Sequence, residues 1–159
     1  MPTLKIAHEF LYRALNELLA GNSTHVEGMW ESSEDVLQFG AFSETCEGIN
    51  AIRTEYRREA LLHLGGKLIC ENVCFMEVGD IGYTACQELY DGLRGPGQQP
   101  ISFRLRVTNI FRRGQSGWRL IHRHTDKYEG CGQLGTPVCS LRCMEPFSFC
   151  DAKNKLTEF

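Results

Sequence analysis

The spacing of apolar residues changes three times along the chain. Leu4, Ala7, Leu11, Ala14, Leu15 and Leu18 recur at helical intervals, flanked by Ile6, Phe10 and Leu19, and Gly21 is placed to end the helix. Ser23 or Thr24 then caps a shorter helix in which Val26, Met29 and Trp30 share a face. "DVLQFGAF", from Asp35, reads as a strand containing a glycine, and "SETCEG" turns the chain. Helical spacing returns in "INAIRTEYRREALLHLGG", with Ile52, Tyr56, Ala60 and Leu64 on its inner face and Gly65-Gly66 as its stop.

Beyond that point the pattern alternates. "KLICENVCFMEV" and "IGYTACQELY" flank Gly79-Asp80 as one hairpin, "DGLRGPGQQP" is a loop, and "ISFRLRVTNIFRR" with "WRLIHRHTD" makes a second hairpin. Helices followed by long hairpins predict an α+β fold, a curved antiparallel sheet with helices packed on its concave face. Such a sheet leaves a cone-shaped cavity under the helices, a natural pocket. No period persists after the second hairpin. The chain therefore divides into a domain over 1–126 and a cysteine-bearing C-terminal extension over 127–159.

Composition narrows the class. Hydrophobic content of 42% and charged content of 23% fit a globular chain, and a net charge of −3 supplies no field for nucleic acid or acidic lipid. Arg104, Arg106, Arg112, Arg113, Arg119 and Arg123 do gather in the second hairpin, which reads as a solvated or partner-facing sheet surface. Charged residues interrupt "MPTLKIAHEFLYRALNELLAGN", so it is neither a signal peptide nor a membrane span, and the cytoplasm is the default compartment. Among the 8 cysteines, Cys131, Cys139, Cys143 and Cys150 fall near the end. Without a Cys-x-x-Cys pair, free thiols, disulfides and a metal site all stay open for them.

The last strand carries the candidate chemistry. Trp118, Leu120, His122 and His124 alternate on one side; Arg119, Ile121, Arg123 and Thr125 take the other. An even-length loop within "GQSG" pairs Arg113 with Trp118, which sets His122 across from Asn109 and His124 across from Val107. Both imidazoles then face the cavity. They could be hydrogen-bonded filler of its floor, a general acid–base with Asn109 as polariser, or a His-x-His metal pair. No metal is expected, because Asn109 is a poor third ligand and Gly40 none at all. Trp30, Gln38, Tyr56, Phe103 and Val107 are the expected ligand-binding wall, and no cofactor is expected.

The order of elements, with "RALNELLAGN", "GINAIRTEY" and "VTNIFRRGQSGWRLIHRH", resembles the nuclear-transport-factor-2-like superfamily. Its SnoaL-like branch, related to ketosteroid isomerase, is the nearest likeness, over roughly residues 4 to 126. The resemblance implies a cone-shaped, cystatin-like α+β barrel, usually dimeric, around a small and mostly apolar guest. Members include both enzymes and non-catalytic partners, so the fold does not select the function. Ketosteroid isomerase pairs a carboxylate base with an oxyanion hole built from tyrosine and a protonated aspartic acid. On this chain the base falls on Gly40, the oxyanion acid on Asn109 and the tyrosine near Ala14, so the isomerase mechanism is not carried over. Two functions are expected. One is a pocket for a small apolar or amphipathic molecule, with acid–base catalysis by His122 or His124 and Asn109. The other is a non-catalytic association module with a vestigial pocket. A homodimer through the outer sheet surface is expected, with no nucleic-acid or membrane partner.

Overall fold

A computed structural model describes residues 2–95 and 97–127. The extension and its four cysteines lie outside the described residues, apart from Lys127, which closes the last strand. Three helices precede or interrupt a sheet: α1 (Leu4–Leu19), α2 (Thr24–Met29) and α3 (Gly48–Ala60). The strands are β1 (Leu37–Phe39), β2 (Cys46–Glu47), β3 (Lys67–Val78), β4 (Ile81–Leu93), β5 (Ile101–Gly114) and β6 (Gly117–Lys127). They form one six-stranded sheet in the order β2-β1-β6-β5-β4-β3. The α+β class, the helices and the two long hairpins thus follow the apolar spacing.

Three local features depart from it. The segment at Asp35 yields only a short strand, which runs parallel to β6, with Leu37 beside His122. "SETCEG" contains β2, which the sequence pattern hides because it spans only Cys46–Glu47. The third helix ends at Ala60, before the Gly65-Gly66 stop; the chain leaves helical geometry at His63, which has φ 44.

Helix α1 is held by its stripe and by a polar clamp. Thr3 caps it by accepting from Ile6 N, and Leu4, Leu11, Leu15 and Leu18 are buried. Each such leucine contributes roughly 1.5–3 kcal/mol relative to exposure. Asn16 reaches the edge strand, accepting from Leu68 N at 2.9 Å and donating to Leu68 O at 3.0 Å. That bidentate contact fixes α1 across β3.

The second hairpin begins as its sequence predicts, with Arg113 opposite Trp118 and Gly114 opposite Gly117. It does not continue that way. A β-bulge at Ile121 shifts the register, so Phe111 faces Leu120 while Ile110 faces His122. An extra residue in one strand transfers every later side chain to the opposite face. Arg123 and Thr125 therefore turn inward and are buried, opposite Asn109 and Val107. His122 and His124 turn outward. The expectation that they sit across from Asn109 and Val107 is corrected by this one residue.

Candidate functional site

The inward turn of Arg123 is explained by what it meets. Strand β4 presents Gly82, Thr84, Cys86, Glu88 and Tyr90 to the helices, and Glu88 is fully buried. A carboxylate out of water needs a cation and filled lone pairs. Arg123 Nη2 donates to Glu88 Oε1 and Oε2 at 2.7 and 3.0 Å, Tyr12 donates to Oε1 at 2.7 Å, and Tyr90 donates to Oε2 at 3.1 Å. Arg123 Nη1 donates to Asn109 Oδ1 at 2.7 Å, and Asn109 Nδ2 donates to Thr84 Oγ1 at 3.2 Å. Burial works against the Arg123 charge, but Glu88 holds the guanidinium protonated well above its usual range. Burial and then the Glu88 charge push the Tyr12 and Tyr90 hydroxyls upward. Both Glu88 oxygens are thus filled from within the chain.

Beside it lies a cavity of about 300 Å³ between α1, α3 and the sheet. Its walls are mostly apolar, from Leu15, Leu18 and Leu93 to Phe103, which stacks on Tyr90 at 5.0 Å and meets Phe42 edge-on. Arg123 and Tyr90 of the network reach this lining too, but other polar groups on it have no partner. Tyr56 Oη, Gln38 Oε1 and, outside the lining, Trp30 Nε1 are buried without a hydrogen bond among the described residues, and Trp30 is a near enough neighbour of Tyr56 to oppose the rise of its pKa. Burial pushes the Tyr56 hydroxyl well above its ordinary range.

Glu59 lines the same cavity, one helical turn past Tyr56 on α3. Its carboxylate forms no hydrogen bond or salt bridge with another described residue, while its backbone carbonyl accepts from Leu62 N. Burial, followed by the Glu55 carboxylate, raises its pKa to about 7, against the opposing pull of Arg58 and Arg123. A carboxyl balanced near neutrality can accept and return a proton in a cavity. Sequence reasoning missed it. The signal was present: Ile52, Tyr56 and Glu59 fall at i, i+4 and i+7 of one helix, so a carboxylate stands at an inner position.

The expected site residues separate into three groups. Gln38, Tyr56 and Phe103 line the cavity. Trp30, Val107 and Asn109 are buried on the inner side but lie outside the cavity lining; Asn109 is committed to Arg123 and Thr84. His122 and His124 face away from it. His122 Nδ1–H donates to Leu37 O at 2.9 Å, and the two rings flank Phe39, each at 5.4 Å between centroids. Neither reaches the cavity, so placing them and Asn109 as cavity-facing catalytic groups is corrected. Gly40 lines the cavity, and a Cβ there would lie 2.0 Å from Ser43 Oγ. An aspartate base does not fit at that position without displacing Ser43.

The outer arginines are paired within the chain. Arg104 meets Glu71, Arg106 meets Asp126, and Arg112 meets Glu31 at 2.8 Å. Among the described residues no group of three or more His, Cys, Asp or Glu could hold a metal ion. No described helix is long and apolar enough to cross a membrane.

The SnoaL-like domain family matches residues 9–125, from within α1 to within β6. The chain belongs to the SnoaL-like family. Solved structures carry the same nuclear-transport-factor-2-like fold. A ketosteroid isomerase-like protein from Erwinia carotovora atroseptica aligns with TM-score 0.66 at 12% identity, over 78% of this chain and 92% of its own. A protein with a cystatin-like fold from Novosphingobium aromaticivorans gives 0.61 at 18%, over 81% and 86%. A candidate calcium/calmodulin-dependent protein kinase type II association domain from Thiobacillus denitrificans gives 0.67 at 19%, over 81% and 98%. No curated protein matches the chain significantly. At these identities the likeness establishes the fold alone, and this SnoaL-like chain has to be read from its own cavity.

Proposed function

We propose that this SnoaL-like chain binds a small, largely apolar or amphipathic molecule and moves a proton to or from it through Glu59. The observation that carries this reading is the set of polar groups left open in an apolar cavity: Tyr56 Oη and Gln38 Oε1 without partners, beside a carboxyl balanced near pH 7. A buried polar group without a partner costs about 1–3 kcal/mol, which a ligand's hydrogen bond recovers. The guest's apolar body lies along Leu15, Leu18, Phe103 and Leu93, with its polar end toward Tyr56, Gln38 and Glu59. The proton chemistry moves from the histidines of β6 to the carboxylate of α3.

A thermal-shift screen of apolar acids, alcohols, ketones and polyphenols tests the binding. Hits should be lost in Tyr56→Phe and Gln38→Leu and kept in a His122→Phe/His124→Phe double variant. For the proton step, turnover of a hit should fall at least a hundredfold in Glu59→Gln, and its wild-type rate should rise or fall through pH 7.

The alternative is a non-catalytic association module. Its support is the Arg123–Glu88 network, which gives the domain a paired interior without a guest, and the exposed apolar residues Val78, Ile81 and Tyr83 on the first hairpin. No hit in the screen, with a tight protein partner recovered by pull-down, favours that module. The homodimer belongs to both readings and is proposed through the outer sheet surface, for sedimentation equilibrium to test.

A further inference from the structure

A second cluster of reactive side chains lies on the far side of the sheet's concave face, away from the cavity. Cys70 sits on β3, the edge strand, and is half-buried; Cys86 sits on β4 and is buried. Neither lines the cavity. Cys70 is registered opposite Glu88, two residues along β4 from Cys86, so the two thiols are diagonal cross-strand neighbours on the inner face. A bulge between Glu71 and Cys74, with Asn72 at φ 54, breaks the ladder beside them and increases the local twist.

Helix α1 supplies the rest. His8 Nε2 lies 3.5 Å from Cys70 Sγ, and His8 Nδ1 lies 3.0 Å from Thr84 Oγ1, which also accepts from Asn109. With Nδ1–H donated to Thr84, Nε2 turns its lone pair to the Cys70 S–H. This is the arrangement of an activated nucleophile: a thiol, a base within reach, and a third group orienting the base. Tyr12 Oη stands 2.9 Å from Cys86 Sγ. The titratable groups facing Cys70 are therefore His8 and Tyr12 from α1, and Cys86 and Glu88 from β4. The neighbouring Cys86 thiol lowers the Cys70 pKa most; burial opposes it, and His8 and Tyr12 add to it, leaving the thiol at about 5. Cys86 is pushed the other way, first by the Cys70 thiol and then by burial. One thiolate beside one thiol is the starting state of a two-cysteine redox pair.

We propose that Cys70 is a hydroperoxide-reactive thiolate and Cys86 its resolving thiol. The Cys70 proton passes to His8. The thiolate sulfur attacks one oxygen of hydrogen peroxide, the O–O bond breaks, and the departing hydroxide takes the proton from His8 and leaves as water. Cys70 is then a sulfenic acid. Cys86 sulfur attacks Cys70 sulfur, its own proton leaves with the displaced hydroxyl as a second water, and a disulfide remains. Two thiols are oxidised and one peroxide is reduced to two waters.

The test uses the full chain. The protein is exposed to limiting hydrogen peroxide at pH 7, alkylated, and cut after glutamate; cleavage at Glu59, Glu71, Glu77 and Glu88 puts Cys70, Cys74 and Cys86 on separate peptides. The expected product is a Cys70–Cys86 bridge. In Cys86→Ser, dimedone should trap a sulfenic acid on Cys70. The exposed Cys74 is the internal control for the wild-type alkylation profile. Between pH 8 and pH 6 an ordinary thiol should slow by nearly a hundredfold, whereas Cys70 should change by less than about threefold. His8→Gln should move the Cys70 profile toward that of Cys74. Oxidation of Cys74 with Cys70 intact, or parallel alkylation profiles for the two, would overturn the nucleophile. Sulfenic acid persisting on Cys70 of the wild type would overturn the role of Cys86.

Discussion

Two polar clusters share the interior of this domain, and they differ in how completely their hydrogen bonds are filled. Around Glu88, the Arg123, Tyr12 and Tyr90 donors satisfy both carboxylate oxygens, and Asn109 and Thr84 extend the chain. Around the cavity, Tyr56 Oη and Gln38 Oε1 are open and Glu59 is unpaired. The first cluster contains the stronger charges, and its Glu88 oxygens are filled from within the chain, although Arg123 and Tyr90 also reach the cavity lining. The second is weaker in charge and costs stability as it stands. In a folded chain a buried polar group is tolerated either because the protein completes it or because something else does. The filled cluster is architecture; the open one is the proposed binding site.

Breaking the filled cluster should produce the largest effect. Arg123→Met leaves Glu88 buried without its cation and should destabilise the domain by about 3–5 kcal/mol in urea unfolding. Adding Glu88→Leu should recover much of that loss, because the orphaned charge goes with it. If Arg123→Met unfolds at the wild-type urea concentration, the network is not structural.

Breaking the open cluster should have the opposite sign. The folded Glu59 pKa of about 7 lies above the ordinary carboxyl value, so between roughly pH 4.5 and pH 7 the native state holds the proton that the unfolded state releases. Stability therefore falls as pH rises through that window. Glu59→Gln removes the dependence. It should be of order 1–3 kcal/mol more stable than wild type at pH 8 and indistinguishable from it at pH 4. Tyr56→Phe comes next: deleting an unpartnered buried hydroxyl should leave stability unchanged or raise it by up to about 1 kcal/mol while weakening ligand binding. A loss above about 1 kcal/mol would mean that the hydroxyl is already paired and that Tyr56 belongs with the filled cluster. The smallest effect is expected from His124→Phe, an exposed outer-face residue, at within about 0.5 kcal/mol and with no change in ligand response.

The same contrast marks what the chain's pattern reveals. Helix stripes, long strands and the Arg113–Trp118 turn are local, and period and turn chemistry are enough to read them. The Ile121 bulge is not local. Alternation through "WRLIHRHTD" predicts inward histidines, and only the demand of Glu88 on another strand for a cation makes Arg123 the inward residue. That demand was visible in part, because Glu88 alternates with Cys86 and Tyr90 on the face that meets the helices. The cavity's lining was half legible: Gln38, Tyr56 and Phe103 follow from alternation and helical phase. Glu59 was overlooked because a carboxylate beside Arg58 on a helix looks like a solvated residue until its burial is known.

The titration of Glu59 tests the central claim most directly. The side-chain carboxyl carbon of Glu59, followed by NMR in glutamate-labelled protein and assigned through the Glu59→Gln spectrum, should titrate near pH 7. A ligand-induced displacement of that midpoint would join the carboxyl to the cavity's guest. A midpoint near 4.5, unmoved by every hit of the screen, would contradict the account and leave the cavity without proton chemistry.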